Sequence, residues 1–314
     1  MTLDRLMSHH NTRNTQLPVE IVEIILNAYI KNAGFMEQDP LNSANISYLH
    51  PEISRQLLRL RLLAKSWNEA IVPFVYKALY LNTTRKANIL LTSWKGAPHL
   101  ESLSINCNSL GSLNLNVGSL PNLAHLCLVV RPGNMEALTR FCQAEDRKIK
   151  FLELISPGAR DQCRPIFMAL KDSLETIFVD PVPGRFPRDV ANLEFVNLRV
   201  VRCLTCASSP SGYAWLHKPI FKNMQVLIAH YWHGSAYWKQ LLKLIQRKPI
   251  ELPPKFKRIV FISSKGPSLE DNELVAAFKS HKIECVFAYH LRYKQIMDLQ
   301  NWNGKHTKGQ RANE

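Results

Sequence analysis

From Leu100 onward a short apolar pattern returns, L-x-x-L-x-L with aliphatic or aromatic replacements. Copies stand at Leu100/Leu103/Ile105, Leu123/Leu126/Leu128, Ile149/Leu152/Leu154 and Leu174/Ile177/Val179. Four more follow at Leu198/Val201/Cys203, Met224/Leu227/Ala229, Phe256/Ile259/Phe261 and Ile283/Val286/Ala288. The central positions, 103, 126, 152, 177, 201, 227, 259 and 286, are spaced by 23, 26, 25, 24, 26, 32 and 27 residues. Apolar residues two apart predict a short strand with one face turned to a core. Several gaps hold helix-like stretches, at Met135–Ala144, Arg160–Leu170, Ala236–Arg247 and Leu269–Ser280. A strand and often a helix per period predict units stacked side by side, with the strands joined in one parallel sheet.

The first eighty residues follow another pattern. In LPVEIVEIILNAYI, Leu17–Ile30, the polar residues Glu20, Glu23 and Asn27 fall at steps of three and four, and Lys31 continues them. They form one narrow stripe on a helix that is otherwise apolar, and such a helix needs cover on more than one side. Pro18 suits the helix start, where a missing N–H costs nothing. A second apolar run, LLRLRLLAKSW at Leu57–Trp67, is expected to continue as helix until Pro73 stops it.

These two runs carry a resemblance. The Leu17-Pro18 opening with Glu20 behind it, and then LRLLAKSW, resemble the two halves of an F-box. AIVPFVYKALYL, which follows, looks like the continuation found in fungal members. The family joins the halves tightly, whereas here residues 31–56 form a longer insert. The later periodic region is similar to a degenerate leucine-rich-repeat array. The position three after each strand is Asn108 in the first copy and Cys206 in the fifth, but departs from Asn or Cys elsewhere. The expected architecture is α/β: a helical F-box followed by a curved leucine-rich-repeat-like β/α solenoid with a parallel sheet. Its expected divisions are a tail at 1–14, the F-box at 15–80, the repeat domain at 81–302 and a basic tail at 303–314.

The resemblance implies a substrate-recognition subunit of an SCF-type ubiquitin ligase. Its F-box would bind a Skp-family adaptor and, through it, cullin, while the repeats hold an unidentified target protein. Leu17, Pro18, Ile21, Ile25, Leu60, Leu63 and Trp67 are the implied adaptor contacts, with Trp67 equally suited to the F-box core.

Charge adds a second candidate surface. The chain of 314 residues has a net charge of +15, and residues 205–258 hold nine basic and one acidic residue. Within that segment lies HYWHGSAYWK, expected at the exit of a strand. Tyr231, Trp232, His233, Tyr237, Trp238 and Lys239 are the candidate target contacts there. Aromatic and cationic groups together suit acidic protein segments, phosphates or stacked bases. A core role for at least one tryptophan is the plainer alternative. The rival function is a basic module that binds nucleic acid or an acidic surface without any ligase role.

Other chemistry is thin. Cys203-x-x-Cys206, with His217, His230 and His233 nearby, has metal-like spacing, but the repeat register accounts for both cysteines, so no metal or cofactor is expected. Enzyme motifs such as G-x-S-x-G, a Gly-rich phosphate loop or H-E-x-x-H do not occur, and no catalytic residue is expected. Seven cysteines spread singly suit a reducing compartment. A polar start at Met1–Asn14 and the absence of a long apolar run point to the cytoplasm and/or nucleus, with no membrane partner.

Overall fold

A computed structural model describes residues 17–33, 49, 51–85, 87, 97–106, 120–129, 132–144, 148–155, 163–179, 187–203, 216–231, 238–240, 243, 252–262, 271–288, 291, 296 and 299. The chain divides into two compact units, with the break between Lys77 and Ala78. Residues 78–80 therefore group with the sheet unit instead of the helical domain expected at 15–80.

The first unit contains three helices, α1 (Val19–Ala33), α2 (Pro51–Leu60) and α3 (Lys65–Val75). The carbonyl of Pro18 accepts from Val22 N at 3.1 Å, so the proline stands just ahead of the first turn. Val22, Leu26 and Ile30, four apart and thus on one face, are buried with Leu57, Ala70, Ile71 and Val75. The second apolar run is not one helix. After Leu60 the chain turns through residues 61–63, and Ala64 is extended (φ −162°, ψ 165°), which interrupts the backbone ladder before α3 starts. Pro73 does not end α3 either. It lies in the last turn, where one missing donor is tolerated, and the helix runs on to Val75.

The second unit is built on a nine-stranded parallel sheet whose strands are neighbours in chain order. They are β1 (Ala78–Leu81), β2 (Ser102–Ile105), β3 (His125–Val129), β4 (Phe151–Ile155), β5 (Thr176–Val179), β6 (Val200–Cys203), β7 (Val226–His230), β8 (Arg258–Ile262) and β9 (Glu284–Ala288). All eight expected strand centres fall within β2–β9. β1 precedes them. Helices α4 (Met135–Gln143), α5 (Arg164–Leu170) and α7 (Asn272–Ser280) occupy three of the expected gaps, and a short α6 (Arg188–Ala191) was not foreseen. The expected helix at 236–247 lies largely outside the described residues.

One register row joins Leu103, Leu126, Leu152, Ile177, Val201, Leu227 and Ile259. These residues pack in one core with Leu138 and Phe141 of α4, Phe167 of α5, Val190 of α6 and Phe278 of α7. Turns ahead of the strands are stitched to their neighbours by side chains. Asn122 Nδ2 donates to Pro98 O, Ser173 Oγ to Ile149 O at 2.8 Å, and Asn197 Nδ2 to Asp172 O at 2.7 Å.

The last repeat departs from the expected register. Ile259 pairs with Cys285 and Val260 with Val286. Cys285 and Phe287 therefore pack against the helix-side core, while Val286 and Ala288 join the cluster on the other face. A slip of one residue exchanges the faces of a whole strand. The cause is the exit from α7: Lys282 has φ 62°, and Ile283 N returns to Phe278 O at 3.0 Å. This tight left-handed helix end shortens the approach to β9 by one residue.

At its other end α7 is capped by Asp271, whose Oδ1 accepts from Leu274 N at 3.0 Å, while Oδ2 accepts from Tyr231 Oη–H at 2.9 Å. Asp271→Ala removes both bonds and is expected to cost about 1–2 kcal/mol, read as a lower urea midpoint. Burial, and then Asp271, push the Tyr231 hydroxyl from its ordinary 10.0 up to about 12. The folded state thus holds that proton more tightly than the unfolded chain. Its contribution is complete below pH 10 and should fade as pH rises towards about 12. Tyr231→Phe should flatten this alkaline decline in a series of unfolding curves.

Candidate functional site

The side of α1 turned away from the buried Val22, Leu26 and Ile30 is also apolar. Leu17 is 42% exposed, Ile21 43%, Ile24 63% and Ile25 41%, and Pro18 and Ala28 are exposed beside them. In the turn between α2 and α3, Leu62 and Leu63 are 79% and 65% exposed. Six large aliphatic side chains thus lie open to water within one small helical unit, against the usual preference for burying such groups. Position dictates which are free. With α1 fixed on α3 through Val22, Leu26 and Ile30, neighbours one residue earlier or later along the helix are turned off that contact. Glu20, Glu23 and Asn27 complete the exposed circumference. Tyr29, partly exposed, donates from its hydroxyl to Gln56 Oε1 and ties α1 to α2.

Of the residues expected to form an adaptor-binding surface, Leu17, Pro18, Ile21, Ile25 and Leu63 are exposed. Leu60 and Trp67 are half-buried and packed against the helical core, so they support the surface more than they form it. Ile24 and Leu62 were missed, although they are 63% and 79% exposed. Apolar side chains around most of α1 concealed which would face outward until α3 was in place.

The expected target-binding loop fares differently. Tyr231 and Trp238 are 7% and 3% exposed. Tyr231 packs edge-on against Phe261 and Phe287, with ring centroids at 5.6 and 5.2 Å, and Trp238 packs edge-on against Phe261 at 4.8 Å. These two are core aromatics, not surface contacts, because the large Phe261 and Phe287 rings of β8 and β9 draw them inward. Lys239 is exposed. Trp232, His233 and Tyr237 lie outside the described residues, as does Cys206. Cys203 packs in the helix-side core, whereas His230 occupies the alternate side of β7, so these two cannot share an ion. Among the described residues, no group of three His, Cys, Asp or Glu side chains is placed to hold a metal.

A polar constellation on the sheet's other face was not foreseen. Ser102 Oγ lies 2.7 Å from His125 Nδ1, and His125 Nε2 lies 3.1 Å from Glu153 Oε1, across β2, β3 and β4. Register places Ser102 beside His125, and it puts Cys127 beside Glu153. A carboxylate only accepts, so Nε2 donates to it, and in the neutral ring Nδ1 accepts from the serine hydroxyl. All three side chains are buried, His125 and Glu153 completely. Burial first, then the Glu153 charge, pushes the Cys127 thiol well above its usual range. The three residue types are those of a hydrolase triad, but the serine faces Nδ1 instead of Nε2 and is closed to solvent. As placed, the chain of bonds joins three strands. Further along this face the Arg202 guanidinium lies 4.2 Å above the Phe178 ring centre. Alternation in β2–β4 held the signal for these residues: Ser102, His125 and Glu153 all stand one position before a core leucine.

No protein-family model matches the chain, and no curated protein matches it. Among the described residues, no helix is long and apolar enough to cross a membrane.

Proposed function

We propose that the chain is a substrate-recognition subunit of an SCF-type ubiquitin ligase. In this reading the helical unit is an F-box, and the sheet unit is a degenerate leucine-rich-repeat-like receptor for a target protein. The observation that carries it is the open aliphatic surface made by Leu17, Ile21, Ile24 and Ile25 of the α1 region with Leu62 and Leu63. Aliphatic anchors on a rigid helix are what a preformed groove on a Skp-family adaptor would bury as hot spots. The Leu-Pro opening and the LRLLAKSW segment supply the resemblance to the family. Strands in chain order at a spacing of 23 to 32 residues support the repeat reading. The chain would act as a receptor that positions its target, with transfer of ubiquitin carried out by other subunits.

Co-purification of the full chain with a Skp-family adaptor, in low and in high salt, tests this. A complex that survives high salt is expected, because apolar burial responds little to screening. Failure to form any complex would remove the reading. The rival, a basic module for nucleic acid, draws on the exposed Lys218, Lys239, Lys243 and Lys257. It demands binding that weakens steeply as salt rises. Nearby, Lys222 is paired with Glu194 at 2.9 Å, which offsets one of the segment's positive charges.

A further inference from the structure

The turns that lead into the last four strands share a charge pattern. In the five residues ahead of each of β6, β7, β8 and β9 stand Arg199, Lys222, Lys255, Lys257, Lys279 and Lys282, with no aspartate or glutamate among them. The same windows ahead of β2–β5 hold four basic and four acidic residues, so that half of the edge is balanced. All six cations are exposed. Backbone bonds run from turn to turn: Gln225 N to Arg199 O at 2.8 Å, Lys257 N to Gln225 O at 3.0 Å and Glu284 N to Lys257 O at 2.9 Å. The cations therefore line one edge of the sheet, turn beside turn, at the strand spacing of about 5 Å. Two acids flank this edge. Glu284 is held by Arg258 at 2.7 Å, and Glu194 takes Lys222 at 2.9 Å.

We infer that this edge receives an acidic polypeptide segment, whose carboxylates lie across the starts of β6–β9. Charge complementarity selects an anionic occupant. The chain's own Glu194 shows how a carboxylate is received here. Its Oε2 accepts from Lys222 Nζ and its Oε1 from Asn223 Nδ2 at 3.1 Å, while Lys255 Nζ donates to Asn223 Oδ1 at 2.8 Å. The bond from Lys222, and then that from Asn223, holds the Glu194 carboxyl below its usual range. Five of the six cations are lysines, mobile point charges that take up carboxylates without a fixed geometry. Single-stranded nucleic acid fits less well, because its bases want aromatic platforms. Among the described residues of these turns, Phe195 and Phe221 are buried and Phe256 is packed against the core. That the segment belongs to a ubiquitination target rests on the ligase reading; the acidic chemistry of the occupant does not.

The test titrates a labelled polyglutamate peptide against three full-length proteins at low ionic strength, where exposed charges are screened least. The unaltered chain should bind it saturably. Replacing Arg199, Lys257 and Lys279 together by glutamine should weaken binding at least about tenfold, since several individually weak ion pairs are lost at once. Replacing Lys148, Lys171 and Arg188 by glutamine removes the same charge elsewhere in the sheet unit and should leave binding as it was. Equal losses in the two variants would reduce the effect to net charge and overturn the proposal, as would no binding by the unaltered chain. A single-stranded oligonucleotide of equal charge, bound more tightly than the peptide, would make the edge a nucleic-acid surface and overturn it too. Adaptor co-purification with the edge variant keeps the two readings apart, because the adaptor should bind it undiminished. Adaptor bound without peptide ends the present proposal alone, whereas peptide held at this edge without adaptor upholds it and ends only the ligase reading.

Discussion

Replacing Ile21 and Leu63 together by aspartate should abolish binding of a Skp-family adaptor and leave the chain as stable as before. Leu63 is 65% and Ile21 43% exposed and neither belongs to the helical core, so the substitutions remove few buried contacts. An aspartate at position 21 also falls in the first turn of α1, where the helix dipole favours a negative charge. In the complex the same positions would be desolvated, and each lost anchor is expected to cost about 2 kcal/mol or more, so the pair weakens binding by about a thousandfold. Val22→Asp provides the contrast. One residue along, Val22 is completely buried, and a charge there should unfold the helical unit outright. Titration of the adaptor against each protein, beside its urea unfolding curve, separates the two effects. Undiminished affinity in the Ile21/Leu63 variant would show that the open stripe is not the docking surface.

The stripe was partly legible before any coordinates. Leu17, Pro18, Ile21, Ile25 and Leu63 were named through the resemblance to an F-box, and the pattern itself required only that a helix apolar on nearly all sides turn some residues outward. Which ones depended on α3, and its start was obscured by the leucine-rich run of residues 57–63. Leu62 and Leu63 belong to a turn there, not to the middle of a helix. The sheet was more legible. A leucine at every second position repeats often enough to place a strand in each period. The exception is β9, where a left-handed lysine at position 282 moves the faces by one residue. Lysine carries no compositional mark of that conformation, as glycine would have. Tyr231 and Trp238 were misplaced for a related reason. Aromatic residues near lysines suggest a binding loop, but the large rings that bury them, Phe261 and Phe287, lie in strands that begin 20 or more residues further on. Composition over a short window cannot show a neighbour at that distance.

The largest stability effects should come from the buried polar chain on the sheet. Glu153→Leu leaves the His125 Nε2–H without its carboxylate acceptor in a position closed to water. His125→Leu takes away the ring N–H that stands 3.1 Å from the Glu153 carboxylate. Breaking one side of a buried pair of this kind is expected to cost about 3–5 kcal/mol. The double replacement, His125→Leu with Glu153→Leu, removes both groups and puts leucine beside Phe151, whose ring centre lies 4.7 Å from that of His125. It also removes the charge that helps to hold the Cys127 thiol up. The double variant should therefore be less destabilised than the two single costs together, by at least about 1–2 kcal/mol. Urea unfolding of the four proteins measures that coupling. Costs that add to within about 0.5 kcal/mol would mean that histidine and glutamate act independently. A positive coupling would show how a glutamate can occupy the middle of a strand buried on both faces: His125, one strand away in the register, accounts for it, and Ser102 beyond holds that histidine in place.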